Sequence, residues 1–386
     1  MTKVIMLSSD NINAQTGAAK FVRLFTSKAK KWKENEIEVL CFSNSGSFSD
    51  EMKYRKTASF KFKQIAKRML FATKIGRRIS LIRYQLHTLG NLPIVNASNI
   101  IDKDSVVILN DIRVAYNYYN KYQNNYKSIF IMHNSGDMLS MLKEEMVDRK
   151  VKELLEECEK NILKYADALV FVSEVARSNF NALHPEYNNK TKTIYIGMED
   201  TNVIHEKINN SIGIVTIGTV CDRKNQILVI KAVENIVSRN IKLTIVGGGP
   251  KLYEWKKYVK DRNLGDKVFF AGASDQVDKI LAENDMFVMT SKDEGLPVAA
   301  QEAMSFGMPL ILTDVGGCQE LICENGFLIN PKLEEVIEAI NYYIDNSESI
   351  RIHGNQSKAL FKERFSLEKM TERYIELVKD IINLNG

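Results

Sequence analysis

The stretch from Asp285 to Glu320 constrains the fold more than any other part of the chain. It opens with a short apolar run, Met286-Phe287-Val288-Met289-Thr290, bounded by polar residues, which predicts a strand buried on both faces of a parallel sheet. Ser291-Lys292-Asp293-Glu294-Gly295-Leu296-Pro297 then turns the chain, with Pro297 at the first helical position, where a missing N–H costs nothing. Val298 to Phe306 is good helix material, and Gly307 with Pro309 ends it. A second apolar strand, Leu310 to Leu312, closes on Thr313-Asp314-Val315-Gly316-Gly317. The whole is one strand–turn–helix–strand unit.

Glu294 and Glu302 are eight residues apart, one in the turn at the strand's end and the other about two turns into the helix, so both can face one crevice. The helix N-terminus between them offers free N–H groups and partial positive charge, which suits a diphosphate. Two carboxylates do not suit an anion, but they do suit vicinal hydroxyls such as those of a ribose and a sugar. The bland alternative is a glutamate favoured by the helix dipole plus a second one on the surface.

The pattern Ser-x-x-Glu-Gly-Leu-Pro, with Glu-Ala-Met-x-x-Gly-x-Pro after it, resembles the signature of retaining glycosyltransferases of the GT-B fold, family 4 in particular. The resemblance covers most of the chain, strongly from about residue 211 to 330 and weakly before about 165. It implies an α/β protein of two doubly wound Rossmann-like domains facing a cleft. Residues 1–200 would bind the acceptor, 201–365 the nucleotide sugar, and 366–386 would form a helix crossing back to the first domain. By the same resemblance, Glu294 contacts hydroxyls of the donor sugar and Glu302 the nucleotide ribose. Gly295, Leu296, Pro297 and Val298 then line the donor.

A length of 386 residues suits two domains, and no run of roughly 18 apolar residues predicts a spanning helix. Thr2 to Ser8 is too short an apolar stretch for a signal peptide and reads as a first strand. The five cysteines form no C-x-x-C pair, which argues against a thiolate metal site or a disulfide framework and for a reducing cytoplasm. The five histidines show no ligand spacing either.

Charge is uneven: residues 1–200 carry 31 Lys and Arg against 22 Asp and Glu, while the remainder is mildly acidic. Most of the excess lies in Lys53–Arg83, with eleven basic residues, no acidic one, and Phe60, Phe62, Ile65, Leu70 and Ile79 interleaved. Such a segment can rest on anionic headgroups. It can equally be a solvated basic helix pair packed on its own domain. No recognised nucleic-acid module accompanies it, so nucleic acid is not the expected partner.

Along the chain, Gly17-Ala18-Ala19 opens a helix after the first strand and a polar loop, and the resemblance implies that this loop faces the donor phosphates and acceptor; a routine βα turn is the alternative. Ser128 to Met132 predicts a strand ending in His133, at the position where open α/β sheets bind ligands. An isolated histidine is often merely packed; the resemblance implies contact with the donor sugar. Ala166 to Glu174 resembles the family's last inner strand of the first domain and is expected to end the first sheet, and Asp200 to Asn210 is the expected linker.

The second domain begins at Ile212–Ile217, followed by Gly218-Thr219-Val220-Cys221-Asp222-Arg223-Lys224. A lysine between strand and helix can reach a diphosphate and neutralise the charge that grows as the sugar leaves. The family pattern is Gly-Arg-x₄-Lys: Lys224 matches, but Thr219 stands at the arginine position. Arg223 is a spatial substitute only if it points the same way as Lys224, and neighbours at a helix start ordinarily diverge. Gly213-x₄-Gly218-Thr219 lacks the lysine of a phosphate-binding P-loop, and Gly247-Gly248-Gly249 lacks the third glycine of a dinucleotide fingerprint, since Leu252 stands there. The glycines read instead as a tight turn beside the sheet's edge. Ser274 falls in the loop that the resemblance sets against the nucleobase.

The expected activity is transfer of a hexosyl or N-acetylhexosaminyl group, with retention, from a nucleotide sugar to a growing, lipid-linked surface glycan. UDP is the expected nucleotide, and neither cofactor nor metal is required. The expected location is cytoplasmic, against the inner face of the membrane through Lys53–Arg83. A nucleotide-sugar epimerase on the same fold and a catalytically silent sugar-nucleotide-binding subunit are the rivals.

Overall fold

The computed structural model of the chain describes residues 1–10, 12, 17–43, 46–48, 90–133, 136–139, 149–201, 211–237 and 240–383. The basic segment Lys53–Arg83, the loop before Gly17 and most of the expected linker lie outside the described residues. The chain divides into two compact units, one of Met1–Val172, Arg177–Ile194 and Thr371–Gly386, the other of Ser173–Ala176 and Tyr195–Met370.

In chain order the first unit holds β1 (Thr2–Leu7), α1 (Gly17–Ser27), α2 (Ala29–Glu34), β2 (Ile37–Ser43), β3 (Gly46–Phe48), α3 (Gly90–Ala97), β4 (Ser105–Leu109) and α4 (Ile112–Tyr122). It continues with β5 (Lys127–Met132), α5 (Arg149–Tyr165), β6 (Ala168–Phe171), α6 (Glu174–Leu183, whose first turn belongs to the second unit) and β7 (Thr191–Thr193). The strands lie in the order β3-β2-β1-β4-β5-β6-β7. Val4 to Leu7 and Val106 to Leu109 are fully buried, as strands covered by helices on both faces must be. The winding reverses between β1 and β4, and such a switch point leaves a crevice at the strands' carboxyl ends.

Short strands lie at both edges of this sheet, one of them against expectation. The sheet does not end at β6, because Thr191–Thr193 pairs parallel to it as an edge strand. It is also not wholly parallel, because the three-residue β3 runs antiparallel to β2. Neither strand is long or apolar enough to announce itself.

The second unit holds β8 (Ile212–Ile217), α7 (Gln226–Asn235), β9 (Ile241–Val246), α8 (Leu252–Asp261), β10 (Val268–Gly272), α9 (Val277–Ala282), β11 (Met286–Met289) and α10 (Val298–Ser305). β12 (Leu310–Thr313), β13 (Gly326–Ile329), α11 (Leu333–Asp345), α12 (Glu348–Leu360) and α13 (Leu367–Asn383) complete it, and from Thr371 α13 belongs to the first unit. Its sheet is wholly parallel in the order β10-β9-β8-β11-β12-β13, with the switch point between β8 and β11. Ile214, Leu243, Ile245, Val288 and Ile311 are completely buried beneath Val229, Val233, Val336 and Tyr343. Each such side chain contributes about 1.5–3 kcal/mol of hydrophobic stabilisation. Asp285 fixes the β8/β11 register: its Oδ2 accepts from Gly213 N and its N donates to Gly213 O, both at 2.7 Å.

From Thr371 onward α13 packs on the first unit. Tyr374 meets Phe25 edge-on at 5.1 Å, Lys31 pairs with Glu372 at 2.9 Å, and Lys127 Nζ donates to the carbonyls of Ile381 and Ile382 at the helix end. A lysine there satisfies otherwise orphaned carbonyls and complements the helix dipole.

Candidate active site

At the carboxyl ends of β8 and β11 two loops meet. After β8, Gly218 takes φ +149°, and the chain turns through Asp222-Arg223-Lys224 to Asn225, the N-cap of α7, in the left-handed region at φ 52°. After β11, Glu294 is only 8% exposed. Lys224 Nζ lies 2.5 Å from Glu294 Oε1 and Arg223 Nη1 3.6 Å from the same oxygen, so two cations converge on one buried carboxylate. Arg223 Nη1 also donates to the Asp293 carbonyl at 2.7 Å, and Lys292 N donates to the Arg223 carbonyl at 2.8 Å. The expected divergence of Arg223 and Lys224 does not occur. They precede the helix, in a turn closed by the left-handed Asn225, so helical angular spacing does not govern them.

Glycines hold these loops together by removing side chains where backbones touch. A Cβ on Gly316, at φ +49°, would stand 1.7 Å from the Glu294 carbonyl oxygen, and one on Gly317 2.4 Å from that of Gly295. Gly317 N donates to Gly295 O at 2.8 Å. On the other side, a Cβ on Gly247 would meet the Gly218 carbonyl at 2.0 Å and one on Gly249 the Val220 carbonyl at 2.3 Å. The triple glycine is therefore not a turn at the sheet's edge. β9 lies inside the sheet, and its exit loop supports the loop after β8 through Val220 N to Gly248 O and Lys251 N to Val220 O.

α10 begins one residue later than expected: Pro297 is the N-cap, its carbonyl accepting from Ala300 and Gln301, and Val298 is the first helical residue. Proline tolerates this place for the same reason, having no N–H to satisfy. Leu296 is buried, while Gly295 and Val298 are partly exposed. Glu302 stands in the second turn of α10, partly exposed, and its carbonyl accepts from Ser305 Oγ. Ser274 lies beyond β10, an edge strand separated from β11 by β9 and β8, and its hydroxyl accepts from Gln276 N. The structure thus gathers Lys224, Arg223 and Glu294 directly and leaves Ser274 and Thr219 outside that ion cluster.

In the first unit, His133 follows β5, beside the ends of β1 and β4. Its Nε2 lies 2.8 Å from Asn110 Oδ1, while Asn110 Nδ2 donates to Ser8 Oγ at 3.2 Å. With the amide so oriented, Nε2 carries the proton and Nδ1 keeps a lone pair that can accept from a hydroxyl. Burial pushes the imidazole down to about 4, so it is neutral at neutral pH. Phe21 presents its ring at 5.3 Å and 70°. Nearby, Asp111 caps α4 through the Arg113 and Val114 amides and accepts from Ser9 N. Gly17 is the first residue of α1.

Three residues that sequence reasoning missed prove structural to the site. Asn110 fixes the tautomer of His133. Gly316 and Gly317 seat the loop of Glu294; their signal was the paired glycine after a parallel strand, whose purpose depends on a loop 22 residues earlier.

Residues 198–360 match the family model described as Glycosyl transferases group 1, a span lying within the second unit. Over 158 residues the chain is 30% identical to the N-acetyl-alpha-D-glucosaminyl L-malate synthase of Bacillus anthracis, covering 40% of this chain and 42% of that protein. It is 31% identical over 150 residues to the O-antigen biosynthesis glycosyltransferase WbnH of Escherichia coli, covering 38% of this chain and 41% of that one. Against the UDP-Gal:alpha-D-GlcNAc-diphosphoundecaprenol alpha-1,3-galactosyltransferase of Escherichia coli it is 26% identical over 182 residues, 45% of this chain and 46% of that one. The chain spans less than half the length of these three curated relatives.

Likeness to solved structures extends over nearly the whole chain. A mutant of S. aureus TarM solved with fondaparinux, alpha-GlcNAc-glycerol and UDP gives a TM-score of 0.74 at 15% identity, covering 98% of this chain and 100% of that one. Sucrose-phosphate synthase from Thermosynechococcus elongatus gives 0.71 at 16%, covering both chains fully. Anabaena HepE with UDP-glucose gives 0.67 at 16%, over 98% and 100%. These likenesses show the fold, which is that of GT-B glycosyltransferases.

Proposed function

We propose that this chain is a retaining glycosyltransferase that takes a sugar from a nucleotide-sugar donor held by the second unit and adds it to a bacterial surface polysaccharide. The observation that carries the reading is the Lys224–Glu294 pair at the switch point of a parallel sheet, beside the N-terminus of α10. The match of residues 198–360 to group 1 glycosyltransferases supports it.

In this reading Lys224 engages the donor diphosphate. An ammonium has three donors, so it can keep its bond to Glu294 and still reach a phosphate oxygen. As the bond from the anomeric carbon to the phosphate oxygen breaks, negative charge accumulates on the leaving group, and a fixed cation with the α10 N-terminus stabilises it without a metal. Glu294 accepts hydrogen bonds from sugar hydroxyls and Glu302 from those of the ribose, while Gly295, Leu296, Pro297 and Val298 line the donor and Ser274 borders the base. His133, neutral, accepts a hydroxyl through Nδ1 and positions the sugar; it does not serve as the base. Gly17 opens the helix whose preceding loop would border the phosphates.

TarM and HepE were solved with UDP or UDP-glucose, which supports a uridine diphosphate donor. The O-antigen and diphosphoundecaprenol transferases among the relatives support a glycan or lipid-linked glycan acceptor. Among the described residues no helix is long and apolar enough to cross a membrane. Contact with an anionic cytoplasmic membrane face is proposed for the eleven basic residues of Lys53–Arg83, in keeping with such an acceptor.

The test is nucleoside diphosphate release from a panel of nucleotide sugars, with and without a membrane lipid extract, comparing the protein with Glu294→Ala. Release from one donor that the extract increases and the substitution abolishes is expected. Release that needs no acceptor, with the free sugar inverted at one carbon, would replace the transferase by an epimerase. Binding of a donor without any release would leave a silent sugar-nucleotide subunit.

A further inference from the structure

We propose that Arg223 is the second donor-phosphate cation of this protein, in place of the arginine that Gly-Arg-x₄-Lys would put at position 219. The inference rests on the nucleotide-sugar reading above and concerns which residue holds the diphosphate. Thr219 is exposed and uncharged, and its carbonyl is taken by Gln226 Nε2 at 3.1 Å. Arg223, four residues later, reaches across to the loop after β11. Its Nη1 is anchored on the Asp293 carbonyl at 2.7 Å and stands 3.6 Å from Glu294 Oε1, the atom that Lys224 Nζ contacts at 2.5 Å.

Three features make this a seat for an anion. Two cations share one carboxylate, so among the described residues the ion pairs of this cluster leave one positive charge over, at a buried-to-exposed boundary with Lys224 15% and Arg223 46% exposed. The guanidinium has five N–H donors in a rigid fork, and among the described residues both contacts above use Nη1 alone, so the fork has donors in hand for phosphate oxygens. Finally, Asp222, the carboxylate next to Arg223 in the loop after β8, pairs with Lys251 at 3.5 Å. The relocation is possible because Asn225 in the left-handed region ends the turn before α7 begins.

The test measures binding of UDP, GDP and ADP, with the corresponding monophosphates, to the wild-type chain and to Arg223→Gln and Thr219→Ala. Arg223→Gln is expected to weaken the preferred diphosphate about tenfold or more while changing its monophosphate less than about twofold. Thr219→Ala is expected to change neither. A side chain as exposed as Arg223 is not needed for folding, and an unchanged melting temperature verifies that. Equal weakening of both nucleotides, an unchanged diphosphate affinity in Arg223→Gln, or a loss in Thr219→Ala instead would overturn the assignment. Failure of the wild-type chain to bind any of the diphosphates is a different result, which sinks the nucleotide-sugar reading and takes the assignment with it.

Discussion

The α-carbon of Gly316 lies so close to the Glu294 carbonyl that a single added methyl would stand 1.7 Å from its oxygen. The contact is backbone against backbone, and Gly316 is in the left-handed region at φ +49°, so neither side can give way cheaply. The loop that presents Glu294 is thus seated by a residue with no side chain at all.

Gly316→Ala is therefore expected to cost about 2–4 kcal/mol and to displace Glu294 from Lys224. Urea denaturation gives the first quantity. If the variant is as stable as the wild type and turns over a donor equally well, the close approach is not what positions the loop.

Lys224 and Glu294 form a largely buried pair, and removing one partner strands the other's charge. Lys224→Met alone is expected to lose about 1–3 kcal/mol, tempered by Arg223 at 3.6 Å from the same carboxylate oxygen. The double variant Lys224→Met/Glu294→Gln should lose less than the sum of the singles, a coupling that a double-mutant cycle reads directly. Strict additivity would mean that the pair contributes nothing.

His133 contributes to the pH dependence of stability. Its folded value, about 4, lies below the ordinary 6.5, so between these the unfolded chain binds a proton that the folded chain does not. Stability from this group is complete above the unfolded value and is lost as pH falls from 6.5 toward 4. His133→Gln, which retains an amide donor toward Asn110, should flatten the wild type's loss between about pH 7.5 and 5, by at most about 2 kcal/mol. Parallel pH profiles of the two proteins would remove the imidazole from the account.

Glu320 accepts from the Glu174 and Val175 amides, each at 2.8 Å, at the first turn of α6. Tyr195 donates to the same carboxylate, and burial, with that bond second, pushes its phenol well above the ordinary range. Glu320→Ala, leaving those donors unmet, is expected to cost about 1–3 kcal/mol. Glu320→Gln should recover part of it, because an amide oxygen still accepts; equal losses in both variants would point to packing instead.

Much of the second unit is legible in the chain. Its strands are buried on both faces and read as continuous apolar runs, and the Pro297 and Gly307 punctuation marks α10 to within a residue. The eight-residue spacing of Glu294 and Glu302 and the position of Lys224 follow from the same local rules. The first unit is less legible: β3 and β7 are three-residue strands whose pairing comes from their neighbours, not from their own composition.

The sequence by itself determined the α/β character, the strands of the second unit in their chain order, and the candidates Glu294, Glu302, Lys224 and His133, because periodicity, turn chemistry and strand-end position are local properties. Only the tertiary structure decided that Arg223 joins Lys224 on one carboxylate oxygen 70 residues away, that Asn110 sets the proton of His133, and that Gly247, Gly249, Gly316 and Gly317 exist for backbone contact. Those are relations between loops distant in sequence, set by which strand ends the parallel sheet brings side by side.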